Sequence, residues 1–209
     1  MQLWRPVGMD EMALIVESGM QSYPPRFPEQ PIFYPVLNRP YAEQIARDWN
    51  TSERSYAGYV TGFDLPDAYT SQFERHVVGK REHVEFWIPA DELETLNQRI
   101  VGPIRVLGAY FGAKFRGHVP EAFGLRGRDA DEQLLLLSRT RAYSGMDFIC
   151  EIQANELTIF LNFPYWVASK ATDFGLQTEE FEATLEAIRK AWSLSERAAS
   201  LVEQGERVT

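Results

Sequence analysis

His83-Val84-Glu85-Phe86-Trp87-Ile88-Pro89 is an apolar strand pattern that takes in a carboxylate and ends at a proline, with a short helical pattern following over Ala90 to Asn97. Two readings of Glu85 follow from elementary patterning. With a period of two, Val84, Phe86 and Ile88 face inward and Glu85 stands solvated on the other face of a half-buried strand. Alternatively, a carboxylate at the mouth of a buried strand is costly to desolvate unless it is paired or used, which makes Glu85 the first candidate for chemistry.

Upstream of that stretch the chain reads as a strand, Gln2 to Val7, then a helix from about Asp10 to Ser18 with Met12, Ile15 and Val16 on one face. Asp10 suits the N-cap of that helix and Gly19 its stop. Four prolines in Tyr23-Pro24-Pro25-Arg26-Phe27-Pro28-Glu29-Gln30-Pro31 exclude a regular element and give a stiff loop. A strand over Ile32 to Leu37 and a helix from Pro40 to Trp49, packing through Tyr41, Ile45 and Trp49, come next. Further strands are expected at Tyr56 to Asp64, Phe73 to Val78 and Ile104 to Tyr110. Early helices followed by a strand-rich region predict an α+β architecture rather than a repeating βαβ sheet.

Downstream, glycines at 112, 117, 124 and 127 crowd a segment that also carries Lys114, Arg116, Arg126 and Arg128. It reads as a linker or a long ordered loop. Beyond it a helix is expected over Asp129 to Arg141, then a hairpin in which Asp147 to Gln153 and Leu157 to Phe163 flank Ala154-Asn155-Glu156. A last helix starts near Thr178, with Phe181, Leu185, Ile188 and Trp192 in one stripe. The expected division is a first unit over residues 1–110 and a small α/β module over 111–209, the latter separate or docked as an extension.

The composition is that of a folded globular protein: 209 residues, 44% hydrophobic and 13% aromatic. No apolar run approaches the ~18 residues that a membrane span needs, and no basic segment followed by an apolar core opens the chain. The default expectation is therefore a cytoplasmic protein with no membrane partner. The single cysteine, Cys150, excludes an internal disulfide and reads as a small buried hydrophobe. A net charge of −9 opposes general attraction to nucleic acid or to an anionic lipid surface. Only a local basic patch would offer nucleic acid a foothold. The oligomeric state is left open.

Several catalytic devices are missing. The only Gly-Lys pair, Gly79-Lys80, lacks the rest of a phosphate loop, and neither a Gly-x-Gly-x-x-Gly nor a Gly-x-Ser-x-Gly pattern occurs. His76, His83 and His118 fall in separate segments without metal-ligand spacing, so no metal is expected. What remains is scattered. Arg5, in the first strand, offers a planar fork suited to two oxygens of a phosphate or carboxylate; its bland alternative is a surface salt bridge at a strand edge.

Taken together, Leu3-Trp4-Arg5-Pro6-Val7-Gly8, the helix closing at Ser18-Gly19, Phe33-Tyr34-Pro35-Val36-Leu37 leading into Tyr41-Ala42-Glu43-Gln44-Ile45-Ala46, and Glu85-Phe86-Trp87-Ile88-Pro89 resemble the ADP-ribosyltransferase superfamily. More narrowly they resemble small bacterial proteins labelled ADP-ribosylation/crystallin J1. The resemblance spans about residues 1–110 and implies a split-sheet fold, NAD as substrate and a toxin-related setting. Within it, Arg5 corresponds to the arginine that holds a phosphate or ribose of NAD. Glu85 corresponds to the catalytic carboxylate that stabilises the positive charge developing on the ribose as the glycosidic bond breaks. Tyr34 or Tyr41 would offer an aromatic face to nicotinamide, against the alternative that each simply packs. The proline-rich loop would wall the site, with Arg26 as a further phosphate partner.

The chain departs from the pattern at two places. Phe33 to Leu37 stands where the arginine-type branch has Ser-Thr-Ser, and His83 stands where arginine-modifying members carry a second acidic residue. The other large branch has histidine where this chain has Arg5. The implied activity is transfer of ADP-ribose from NAD to an unidentified protein or small-molecule acceptor, or NAD glycohydrolysis. The alternatives are a non-catalytic binding module on a degenerate scaffold of this kind, as in a toxin–antitoxin or immunity pairing, and an accessory domain without a ligand.

Overall fold

The computed structural model describes residues 1–121, 123–195 and 199–208. In chain order the elements are β1 (Gln2–Gly8), α1 (Met9–Glu17), β2 (Ile32–Phe33), α2 (Arg39–Asp48), β3 (Ala57–Asp64), α3 (Asp67–Thr70), β4 (Arg75–Val77), β5 (Val84–Phe86), β6 (Ile88–Pro89), α4 (Leu93–Arg99), β7 (Arg105–Gly112), α5 (Ala130–Tyr143), α6 (Gly145–Ala154), α7 (Glu156–Val167), α8 (Thr178–Trp192) and β8 (Gly205–Val208). The fold is mixed α+β with small sheets.

β1 alternates cleanly: Leu3, Arg5 and Val7 are buried on one face, while Trp4 and Pro6 are half-buried on the other. It pairs antiparallel with β3, β3 with β7, and β7 takes β8 in parallel, giving the order β1-β3-β7-β8. On the other side of β1, Val36 exchanges two hydrogen bonds with Trp4, at 3.0 and 2.7 Å. The same segment then binds β5, through Leu37 N–H to the Val84 carbonyl at 2.9 Å and Phe86 N–H to the Pro35 carbonyl at 3.0 Å. The pleated surface therefore continues through Val36 to β5 and β4. The strand expected over Ile32 to Leu37 is shorter: it ladders only at Ile32–Phe33 and bridges again at Val36, because Pro35 between them has no N–H to give.

Helix ends follow local chemistry. Asn38 caps α2 by accepting from the Tyr41 N–H at 2.8 Å. α2 packs on the sheet through Tyr41, Ala42 and Ala46, whereas Trp49, expected inside, is 58% exposed. α1 begins at Gly8 with no side-chain cap, so Asp10 is not the cap but lies in the first turn, where its charge suits the helix dipole. Gly19 ends the helix in the left-handed region, φ 70°.

The second half differs most from expectation. The residues expected to form a hairpin are two consecutive helices, α6 and α7. Ser144 starts α6 by accepting from the Asp147 N–H. α7 is buried from Thr158 to Trp166, so it is a central helix with no solvent face. It packs against α1, β7 and β8, and its backbone accepts from the Tyr59 hydroxyl at 2.8 Å through the Leu161 carbonyl. One continuous core holds Leu3, Ile15 and Phe63 together with Leu134, Phe160, Trp166 and Ile188, so the two halves share it. Cys150, expected inside, is exposed on α6. Among the described residues, no helix is long and apolar enough to cross a membrane.

Candidate functional site

β1 aims Arg5 into the interior, where it is 6% exposed. Its fork closes on Glu11 of α1, with Nε at 2.9 Å from Oε1 and Nη2 at 3.2 Å from Oε2. Nη1 donates to the Tyr34 carbonyl at 3.4 Å, and the guanidinium lies 4.5 Å over the Phe33 ring. The salt bridge is thus real but buried, which makes it directional and costly to break. Arg26, from the proline-rich loop, brings a second guanidinium to the same carboxylate, 3.5 Å from Glu11 Oε2, and holds Gln30 Oε1 at 2.8 Å. The Arg26 Nε is buried and has no hydrogen-bond partner among the described residues. Desolvation, followed by the nearby Arg5 charge, lowers the Arg26 pKa, against the pull of Glu11.

These groups line a cleft of about 410 Å³, walled by Pro24, Pro25 and Phe27 on one side and by Asn50 to Ser55 on another. The N-terminus of α1, at Gly8, Met9 and Asp10, faces the same space; Gly8 provides no side-chain cap, and the Met9 N–H donates to the Ser55 hydroxyl at 3.4 Å. Two guanidiniums on one carboxylate leave a net positive charge beside the positive end of a helix. Arg54 adds a cation, and Asp10 and Glu53 add anions, so over the whole lining three guanidiniums stand against three carboxylates and the positive charge is local to the triad. The volume is in the range of small-molecule pockets, and the donors suit anionic oxygens.

Glu85 lies elsewhere. Antiparallel register pairs Trp4 with Val36, Val36 with Glu85 and Glu85 with His76, and directly paired residues share a face. That face is the one covered by α2, where Trp4, Val36 and Tyr41 form a second apolar cluster; Arg5 projects from the other. Arg5 and Arg26 line the cleft together, whereas Glu85, Tyr34 and Tyr41 do not line it. The two groups that the resemblance sets on a single nucleotide are therefore separated by the sheet.

Glu85 is on the face that strict alternation expects, but it is not solvated: it is 8% exposed and accepts from the Trp87 indole N–H at 2.7 Å. The Trp87 ring stacks on His76 at 4.2 Å and meets Tyr34 edge-on at 6.2 Å. Tyr41 stacks flat on His83 at 4.1 Å. Burial, and then the Glu85 charge, raises the Tyr41 pKa. A contact route joins the two faces: Arg5 to the Tyr34 carbonyl, the Tyr34 ring to Trp87, and Trp87 to Glu85. Sequence reasoning missed Glu11, Trp87, His76 and His83 as partners. The i, i+2 spacing of His83, Glu85 and Trp87 was the available signal for three residues on one face.

None of the family models, curated proteins or solved structures compared with the chain matches it.

Proposed function

We propose that this chain is a nucleotide-binding module on an ADP-ribosyltransferase-like scaffold, and that the Arg5–Arg26 cleft takes the pyrophosphate of NAD or ADP-ribose. The observation that carries the reading is the buried Arg26 Nε, without a partner among the described residues, beside Arg5 on a shared carboxylate near the N-terminus of α1. A diphosphate would supply the missing acceptor and meet the helix dipole at the same time. Recognition without transfer is the simpler reading, because Glu85 faces away from the cleft.

A second reading, transfer of ADP-ribose to a protein or small-molecule acceptor or hydrolysis of NAD, is favoured by the short route from Arg5 through Tyr34 and Trp87 to Glu85. Calorimetric titration with ADP-ribose, NAD and adenosine tests the first reading. Binding of the two diphosphates, none of adenosine, and about tenfold or greater weakening in Arg26→Gln is the expected result; equal affinity for adenosine would overturn it. Nicotinamide release from NAD separates the readings. None is expected for a binding module, whereas release that disappears in Glu85→Gln would establish the enzyme.

A further inference from the structure

We propose that the α2-covered face of the sheet holds a binding site for an organic cation, a guanidinium or alkylammonium group, with Glu85 as its counter-ion and Tyr34 and Trp87 as its walls. The proposal does not rest on nucleotide binding in the Arg5–Arg26 cleft, since it concerns the opposite face; it shares Glu85, Tyr34 and Trp87 with the transfer reading alone.

Glu85 is more than nine-tenths buried, yet among the described residues its carboxylate has one hydrogen bond, from a neutral indole, and no ion pair. Its one donor is neutral, so among the described residues nothing compensates the carboxylate's charge directly. The basic side chains of the same hairpin, Arg75, Lys80 and Arg81, are exposed, and none reaches it. Among the described residues Oε2 has no hydrogen bond, and it is not one of the fully sealed unpartnered atoms, so it stays open to an incoming donor.

The rings beside it are arranged to receive what the carboxylate lacks. Trp87 is 46% and Tyr34 39% exposed, so both rings are reachable from solvent, and they stand at 87° to each other, with Trp87 bonded to the carboxylate. The indole is held there by its bond to Glu85 and by the His76 stack, 16° from parallel. Tyr41, with His83 flat against it, lies on the inner side. Aromatic faces carry negative potential and attract cations, most strongly where water is partly excluded. An anion would be repelled by Glu85, and a neutral ring would leave its charge uncompensated. A cation satisfies both features.

The experiment follows the Trp87 indole N–H by NMR, assigned with Trp87→Phe, during titration of the full chain. The probes are N-acetyl-arginine amide, tetramethylammonium and the neutral isostere N-acetyl-citrulline amide. A saturating shift with at least one cation and none with citrulline is expected, and the stronger cation identifies the preferred headgroup. Glu85→Gln should weaken binding about tenfold or more. Tyr34→Leu, at an exposed ring, should weaken it with the core untouched, so it decides the matter if Glu85→Gln does not fold. Failure of both cations to saturate in the parent, or unchanged affinity in the variants, would overturn the proposal and leave Glu85 as an anchor for Trp87 alone. Nucleotide binding at the other face does not enter these readouts, so the two proposals fail separately.

Discussion

Replacing Glu11 with glutamine keeps the shape of the Arg5–Glu11–Arg26 triad and removes the charge that holds it together. The Arg5 side chain is 8% exposed and that of Glu11 20%, and the pair is bidentate. Removing one partner of a buried pair costs about 3–5 kcal/mol. Here the glutamine oxygen still accepts one bond and the site is partly wet, so the expected loss is about 2–3 kcal/mol. With a urea m-value of about 2 kcal/mol/M, the unfolding midpoint falls by about 1 M with its slope unchanged. The same change leaves three guanidiniums against two carboxylates in the cleft lining, so affinity for ADP-ribose should rise several-fold while stability falls. Urea denaturation with and without ligand measures both. A stability change below about 0.5 kcal/mol would place the pair among screened surface contacts and refute the energetic argument. Lower stability together with weaker ADP-ribose binding would refute the charge argument. The double change Arg5→Met with Glu11→Leu should recover part of the lost stability, because an apolar pair leaves no buried charge.

Other expectations follow from single features. Asn162 is fully buried and makes three hydrogen bonds, with the His118 N–H, the His118 carbonyl and Gln133 Oε1; Asn162→Leu should cost about 2–4 kcal/mol in denaturant unfolding by stranding those groups. A Cβ on Gly58 would sit 2.2 Å from the Ala46 carbonyl oxygen, whereas one on Gly108 would meet nothing closer than 3.9 Å. Gly58→Ala should therefore lower stability by about 2 kcal/mol or more, with Gly108→Ala, at the uncrowded position, losing clearly less. Burial, opposed by Asp10 and Glu17, holds His118 below its usual 6.5. The unfolded chain then binds more protons in that window, so this contribution to stability is full above 6.5 and is lost as pH falls through it. Midpoints measured between about pH 7.5 and 5 should decline, and less steeply in His118→Gln.

The first-half elements were legible because each carries its own periodicity. β1 alternates, and β3 and β7 are long apolar runs; in the second half α5 has its own start signal in the Asp129 to Glu132 capping box. The hairpin reading of 147–163 failed for a physical reason. α7 is wrapped by the core on nearly all sides, so its pattern has no polar face, and a continuous apolar run does not distinguish a buried helix from a strand. The corrective signal was Ser144 three residues before Asp147. β8 was invisible because Glu206 and Arg207 are exposed on an edge strand, whose existence depends on the β7 backbone rather than on apolar alternation. Of the site, the meeting of Arg5 with the proline-rich loop was readable. The separation of Arg5 from Glu85 was not, because it depends on the Trp4–Val36–Glu85 register, and Pro35 breaks the strand that would have carried it.

The shared core bears on how the chain tolerates being cut. The exposed stretch Arg126 to Arg128 offers a place to sever the backbone, but β7 then lies in one piece and its neighbour β8 in the other, while α1 loses α7. Each piece loses part of the shared core, so neither is expected to order itself alone. Co-expressed, they should recombine into the parent structure. This makes the loop a natural split point for a complementation reporter whose signal requires both pieces.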